Sequence, residues 1–135
     1  MKTFYFLVLS VALFSCKKEV EEVKQNKLLD VITNGTWKIT NYMKGSTDVT
    51  ADFSTYQFQF KDNNTVDAQM NGTVVKTGQW NGDINAQTVT ANFDNPGYPL
   101  ELLNGVWNIM GGDTKTVLAK QTINGETRSL KLEKQ

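Results

Sequence analysis

The stretch that decides the fold is residues 55–82, TYQFQFKDNNTVDAQMNGTVVKTGQWNG. Its opening segment alternates strictly, because glutamines separate the three aromatic residues of YQFQF at 56–60. Successive side chains of a β-strand point to opposite faces, so this period of two predicts a strand with one apolar face. Asn-Gly pairs at 71–72 and 81–82 favour tight turns, in which both central residues take positive φ. The stretch therefore predicts consecutive β-hairpins.

The same alternation continues on both sides of this stretch. Upstream, one predicted face carries Trp37, Ile39, Asn41 and Met43. Near the C-terminus, one predicted face carries Arg128, Leu130 and Leu132. A third Asn-Gly pair at 124–125 marks another tight turn. We predict eight strands, at residues 36–44, 55–61, 64–70, 73–80, 87–93, 106–110, 115–121 and 126–133.

Short connections between sequential strands indicate an all-β, antiparallel meander. Eight such strands can close into an up-and-down barrel, and an open sandwich is the competing architecture. A short helical turn is predicted just before the first strand, from the apolar residues of LLDVI at 28–32. Asn34-Gly35 would end this turn, because these residue types tolerate the left-handed conformation at a helix C-terminus.

The first residues have the properties of an export signal. Lys2 is basic, and Phe4 to Phe14 is a nearly unbroken apolar run, about half the roughly twenty residues that a membrane-spanning helix requires. The run ends in LFSC, with Cys16 last, which resembles the lipobox of bacterial lipoproteins, although Phe14 is bulkier than usual. We predict a signal peptide at 1–15 and lipid attachment to Cys16. An ordinary signal peptide with a chance cysteine is the alternative.

A charged segment, residues 16–27, follows the predicted signal peptide and is interpreted as a tether. Its acidic residues Glu19, Glu21 and Glu22 resemble a surface-export signal of some Gram-negative lipoproteins. A solvated spacer explains them equally well. We therefore expect the protein to be lipid-anchored at the outer membrane, on its periplasmic face or at the cell surface.

The composition excludes several function classes. The chain has no histidine and one cysteine, which removes Ser-His-Asp and Cys-His catalysis and the common metal sites. The chain has 14 basic and 14 acidic residues, so it lacks the excess of positive charge that is typical of nucleic-acid-binding proteins. Acidic residues fall mostly in predicted turns, so we expect no enzyme, no cofactor and no bound metal.

Several motifs of the domain at 28–135 resemble the lipocalin-like domain of Gram-negative lipoproteins, a small calycin-like barrel. These are Asn34-Gly35-Thr36-Trp37, which is similar to the Gly-x-Trp signature of lipocalins, together with YQFQF at 56–60, GQW at 78–80 and LNGVWNI at 103–109. The resemblance implies a barrel closed at one end that holds a small hydrophobic molecule. It also implies a late arginine stacked on the signature tryptophan, but the only arginine, Arg128, begins its predicted strand, so this feature is not carried over.

Arg128 and Asn41 are the candidate ligand-binding residues. We expect the last strand to pair with the first so that Leu132 lies opposite Trp37, which would place Arg128 beside Asn41. This pair would lie at an open mouth bordered by the long loops near 45–54 and 94–105, where a guanidinium suits a carboxylate or phosphate headgroup. The alternatives are that Arg128 extends to solvent or pairs with Glu126.

Two functions are compatible with this sequence. The first is a lipid-anchored envelope binding module that holds a small hydrophobic or amphipathic molecule in its barrel. The second is a filled barrel that contacts an envelope or host protein through its loops. A cavity of several hundred Å³ would favour the first function. A filled interior beside an exposed apolar patch would favour the second.

Overall fold

A computed structural model of the protein describes residues 27–135. The predicted signal peptide, Cys16 and the tether residues up to 26 lie outside the described residues. The helix α1 occupies residues 27–33. The strands are β1 (Trp37–Lys44), β2 (Thr47–Asp48), β3 (Tyr56–Phe60), β4 (Thr65–Met70), β5 (Thr73–Asp83), β6 (Thr88–Asn92), β7 (Gly105–Gly112), β8 (Thr116–Ile123) and β9 (Glu126–Lys134). Two short 3₁₀ helices occupy Thr50–Phe53 and Leu100–Leu103.

The strands form one antiparallel sheet that closes on itself. Sequential strands pair from β3 to β9, and β1 pairs with both β3 and β9. The two-residue strand β2 folds back on β1 and extends it as a hairpin. Eight strands therefore close the barrel, with one short helix before it, as the sequence predicts. The β1–β3 contact that completes the closure is short, with Trp37 opposite Phe58 as its one registered pair.

Two of the three Asn-Gly pairs form the predicted turns. Asn71-Gly72 and Asn124-Gly125 both have positive φ, with 51° and 78° at the first pair and 51° and 80° at the second. The turn predicted at 81–82 is wrong, because β5 continues to Asp83. The Asp83 carboxylate accepts hydrogen bonds from the backbone N–H groups of residues 85 and 86, at 3.0 and 3.1 Å. This side-chain cap moves the turn to 84–87.

A β-bulge in β1 changes which side chains face the interior. Ile39 lies opposite Leu132 and Asn41 lies opposite Lys131, so β1 carries one extra residue between these pairs. Beyond the bulge, Tyr42 faces inward and Asn41 is exposed. The predicted shared face of Trp37, Ile39, Asn41 and Met43 is therefore wrong past Ile39, because an extra residue inverts the alternation.

The expected register between the first and last strands is also wrong, by two residues. Trp37 lies opposite Lys134, and Ile39 lies opposite Leu132. The last strand extends one residue further than predicted and ends at Lys134. That extension places a cation, rather than a leucine, beside the first tryptophan.

The antiparallel order gives the barrel two distinct ends. We call one the helix end, formed by α1 and the turns at 61–64, 84–87 and 113–115. We call the other the loop end, formed by the segments 45–55 and 93–104 and the two Asn-Gly turns. The core between them contains one large apolar cluster. The largest fully buried side chains of the described residues are Trp37, Tyr42, Phe53, Phe58, Ile39 and Val66.

Candidate functional site

The loop end, where the sequence suggested an open mouth, is sealed. Phe53 of the first 3₁₀ helix is completely buried, and Tyr42 stacks on it with ring centroids 5.3 Å apart. Leu100 and Leu102 of the second 3₁₀ helix are buried beside them. Both long segments therefore fold over the end of the barrel, because each carries apolar residues that water would otherwise reach.

Side chains from inside the barrel hold the second 3₁₀ helix in place. The Tyr42 hydroxyl donates to the Leu102 carbonyl at 2.7 Å. The Trp107 indole N–H donates to the Leu103 carbonyl at 2.9 Å, and Gln121 Nε2 donates to the Asn104 carbonyl at 3.3 Å. Three consecutive carbonyls thus accept hydrogen bonds from three different strands, which satisfies buried backbone groups that the short helix leaves unpaired.

The predicted site residues Arg128 and Asn41 are not brought together. Arg128 lies opposite Lys44, and its Nε donates to Glu126 Oε1 at 2.9 Å. This hydrogen bond raises the pKa of Arg128 and lowers the pKa of Glu126. Asn41 lies exposed on the outer face, on the far side of the bulge. The structure therefore contains the pairing of Arg128 with Glu126, which is the predicted alternative to ligand binding.

At the helix end, two side chains tie α1 to the barrel. The Trp37 indole N–H donates to the Ile32 carbonyl at 2.9 Å, and Lys134 Nζ donates to the Val31 carbonyl at 2.9 Å. The same Nζ lies 5.0 Å from the centroid of the Trp37 ring, within cation–π range. A cation of the last strand therefore lies over the Trp37 ring, although it is a lysine and not the arginine that the resemblance implied.

The interior of the barrel is largely filled. An apolar cavity of about 70 Å³ remains. Ligand pockets typically enclose about 300–1,000 Å³, so this cavity is too small for a drug-sized molecule in the present conformation. The cavity is lined by Ile32, Trp37, Ile39, Phe58, Phe60, Val66, Val89, Ala91, Phe93, Leu103, Trp107, Ile109, Val117, Ala119, Leu130 and Leu132.

A much larger apolar groove lies outside the barrel, between α1 and the β7–β8 hairpin. Its volume is about 620 Å³. We call it the helix-end groove, and its lining is Lys27, Leu28, Val31, Ile32, Ile84, Ile109, Gly111, Gly112, Asp113, Thr114, Lys115, Thr116 and Val117. Ile32, Ile109 and Val117 line both the groove and the interior cavity, so these three residues separate the two spaces.

Two glycines keep part of this groove free of side chains. A Cβ on Gly112 would lie 2.3 Å from the Thr116 carbonyl oxygen, and its φ is 147°, so only glycine fits there. Gly111 sits at a bulge of β7, opposite Leu118. The sequence predicted strands at 106–110 and 115–121, on either side of these glycines, and apolar residues in α1, but it gave no sign that the two elements border one groove.

Among residues 27–135, no group of three or more acidic, cysteine or histidine side chains is arranged to hold a metal ion. No helix within the described part of the chain is long and apolar enough to span a bilayer.

The fold and its covered ends define a small, closed and largely filled antiparallel β-barrel. A crystal structure of a DUF4847 family protein from Bacteroides vulgatus is similar to this chain, with a TM-score of 0.54. The two sequences are 16% identical, and the match covers 80% of this chain and 99% of the other. No model of a known family matches the sequence, and no curated protein does either. The comparison supports the small barrel fold, while the narrower resemblance to lipocalin-like lipoproteins stays a prediction.

Proposed function

We propose that the protein is a lipid-anchored binding module of the cell envelope, which holds a hydrophobic or amphipathic target in the helix-end groove. The observation that carries this proposal is the contrast between an interior cavity of about 70 Å³ and an outer groove of about 620 Å³. The groove falls in the volume range of ligand sites, whereas the cavity does not. Its floor is apolar, as the linings of small-molecule sites commonly are.

The anchoring part of this proposal rests on the LFSC segment that ends at Cys16. Two or three acyl chains on this cysteine would hold the protein far more strongly than a single myristoyl chain. Cys16→Ser should abolish incorporation of a radioactive fatty acid and release the domain from the membrane fraction. Unchanged labelling of this variant would refute the anchoring. Protease shaving of intact cells, with and without alanine at Glu19, Glu21 and Glu22, tests exposure at the cell surface.

The binding part is tested with Nile red, an uncharged fluorescent probe of apolar sites. The chain carrying Cys16→Ser should bind the probe, and Leu28→Arg should weaken binding about tenfold or more, because it places a charge on the apolar floor. Leu118→Arg is the matched control. Leu118 is 42% exposed on β8 and does not line the groove. Equal loss in both variants, or no binding by the parent chain, would refute the groove as the site.

The filled interior favours a second candidate function, contact of the loop end with an envelope or host protein, which is the function predicted for a filled barrel. Tyr98 is 56% exposed, and Val74 and Val75 are each 47% exposed, at this end. A photo-reactive phenylalanine analogue at residue 98 would test this function in intact host cells. A discrete protein adduct that is absent when the analogue replaces Lys120, on the outer face of β8, supports the partner role. Identical adducts from both positions would count against it.

A further inference from the structure

We infer that the helix-end groove binds one acyl chain of a fatty acid, with the carboxylate held by Lys27 and Lys115 at its rim and the chain directed towards Ile32. This inference rests on the proposed function, because it names the occupant of the same groove. It departs from the barrel-interior site that the sequence suggested, since the site lies outside the barrel and at its opposite end.

The shape of the groove favours a single flexible chain over a folded partner surface. Six of the residues that line the groove are aliphatic, and three of them, Ile32, Ile109 and Val117, also line the interior cavity and separate it from the groove. A mostly apolar lining with few polar groups suits a methylene chain. The interior cavity, about 70 Å³, adds no room for the chain while these three side chains close it off.

The rim supplies a charge for the headgroup. Lys27 and Lys115 line the groove, and neither ammonium group forms an ion pair with any residue of the described range 27–135. Asp113 also lines the rim, but its Oδ1 accepts the backbone N–H of Lys115 at 2.8 Å. The rim therefore carries one excess positive charge, which suits a monovalent carboxylate.

The position of Lys27 keeps the groove near a source of fatty acid. Eleven peptide units separate Cys16 from Lys27, which limits the distance between them to about 40 Å. Once Cys16 is anchored, the rim of the groove stays within that distance of the bilayer. Amphiphiles that leave the same membrane, fatty acids among them, would therefore reach the groove at a high local concentration.

Ile32 stands between the two spaces as a barrier. Its side chain is 6% exposed and belongs to the cavity and the groove alike. The hydrogen bonds from Trp37 and Lys134 hold α1 at carbonyls 31 and 32, near its C-terminal end. These two hydrogen bonds would have to break before the last turn could move and join the cavity to the groove.

The test is calorimetric titration of the Cys16→Ser chain with decanoate, dodecanoate and tetradecanoate. Each step adds two methylenes, so the Kd should fall about tenfold per step until the groove is full. Dodecanol, which lacks the charge, should bind several-fold more weakly than dodecanoate. The double variant Lys27→Gln/Lys115→Gln should lose that difference, whereas the control Lys76→Gln/Lys120→Gln should keep it.

The outcomes separate this inference from the proposed function. Chain-length dependence together with loss of the dodecanoate preference in the Lys27/Lys115 variant supports it. A Kd that is independent of chain length, or a carboxylate preference that survives in that variant, overturns it. Nile red binding that is sensitive to Leu28→Arg, without fatty-acid binding, would overturn the inference and leave the proposed function standing. Failure of both probes would overturn both.

Discussion

At the loop end, a completely buried Phe53 and three side-chain hydrogen bonds to the carbonyls of residues 102–104 fix the covering segments. At the helix end, Ile32 is the only residue of α1 that is buried, and Leu28 and Leu29 are half-buried. Each end nevertheless uses the same device, an indole N–H that donates to a backbone carbonyl, from Trp107 at one end and Trp37 at the other.

The difference shows where the barrel can open at low cost. Segments with few buried apolar contacts open locally with smaller free energies than segments that belong to the core. The loop end contributes several residues to the core, whereas α1 contributes Ile32 alone and leaves an apolar groove beside it. Binding is therefore expected where the cover is thin, which is the opposite end from the one that the loop lengths favoured.

The largest expected effect is common to both ends. Trp37→Ala and Trp107→Ala should each lower the free energy of unfolding by about 3–5 kcal/mol, because each removes a buried ring and leaves a carbonyl without its donor. So small a domain should then be nearly unfolded. Urea unfolding followed by circular dichroism measures both variants. A loss below about 1 kcal/mol at either tryptophan would show that its end is not anchored in this way.

Two substitutions, one at each end of the barrel, should differ in their effect on stability. Phe53→Ala at the loop end should cost about 3–5 kcal/mol, because the ring is fully buried. Leu28→Ala at the helix end should cost about 1 kcal/mol, because its side chain is only partly buried. Equal losses in urea unfolding would contradict the difference between the covers and would place α1 in the core.

The loop end should also be the end that fails at alkaline pH. Burial raises the pKa of Tyr42 from 10.0 to about 12, and its hydroxyl donates to the Leu102 carbonyl. As the pH rises, the tyrosine hydroxyl ionises in the unfolded chain before it ionises in the folded protein. The stability that the neutral Tyr42 contributes is therefore complete below about pH 10 and is lost as the pH rises to about 12. Tyr42→Phe should lower the free energy of unfolding by about 1–2 kcal/mol at neutral pH, and it should reduce the further loss of stability at alkaline pH.

The control for this prediction is Tyr98→Phe, at the exposed hydroxyl that donates to Asp52. The hydrogen bond to Asp52 also raises the pKa of Tyr98, but this hydroxyl lies in solvent. Removing it should therefore leave most of the loss of stability at alkaline pH in place. Thermal melts across the alkaline range compare the two variants. If Tyr98→Phe removes the loss and Tyr42→Phe does not, the buried hydroxyl is not responsible.

The sequence predicted the wall of the barrel well, because the wall is a local pattern. The alternation of 56–60, the Asn-Gly turns at 71–72 and 124–125, and the short helix before Trp37 depend on neighbouring residues alone. The bulge near Asn41 was missed although the sequence carries a sign of it, because polar Asn41 falls on the apolar face of the alternation and aromatic Tyr42 falls on the opposite face. One extra residue there moved Tyr42 inward and separated Asn41 from Arg128.

The ends were harder to predict than the wall, because they are made by contacts between distant segments. Phe53, Leu100 and Leu102 lie in stretches that look like loops, and they are buried only because two loops fold over the same opening. The helix-end groove joins α1 to the β7–β8 hairpin, which are about eighty residues apart in the chain. Lys134 completes the helix end only because the β1–β9 register brings it opposite Trp37.

The smallest expected effect concerns the attachment of α1. Lys134→Met removes the hydrogen bond to the Val31 carbonyl and the contact with the Trp37 ring, and should cost about 1 kcal/mol. The loss should be local, so hydrogen exchange of the amides in α1 should speed up about fivefold while that of residues 100–103 stays unchanged. Lys131→Met is the matched control, because Lys131 lies on the same strand and forms an exposed pair with Glu133 at 2.9 Å. Faster exchange at both ends of the barrel would mean that Lys134 supports the whole fold. It would contradict the claim that α1 is a thin cover attached separately from the loop end.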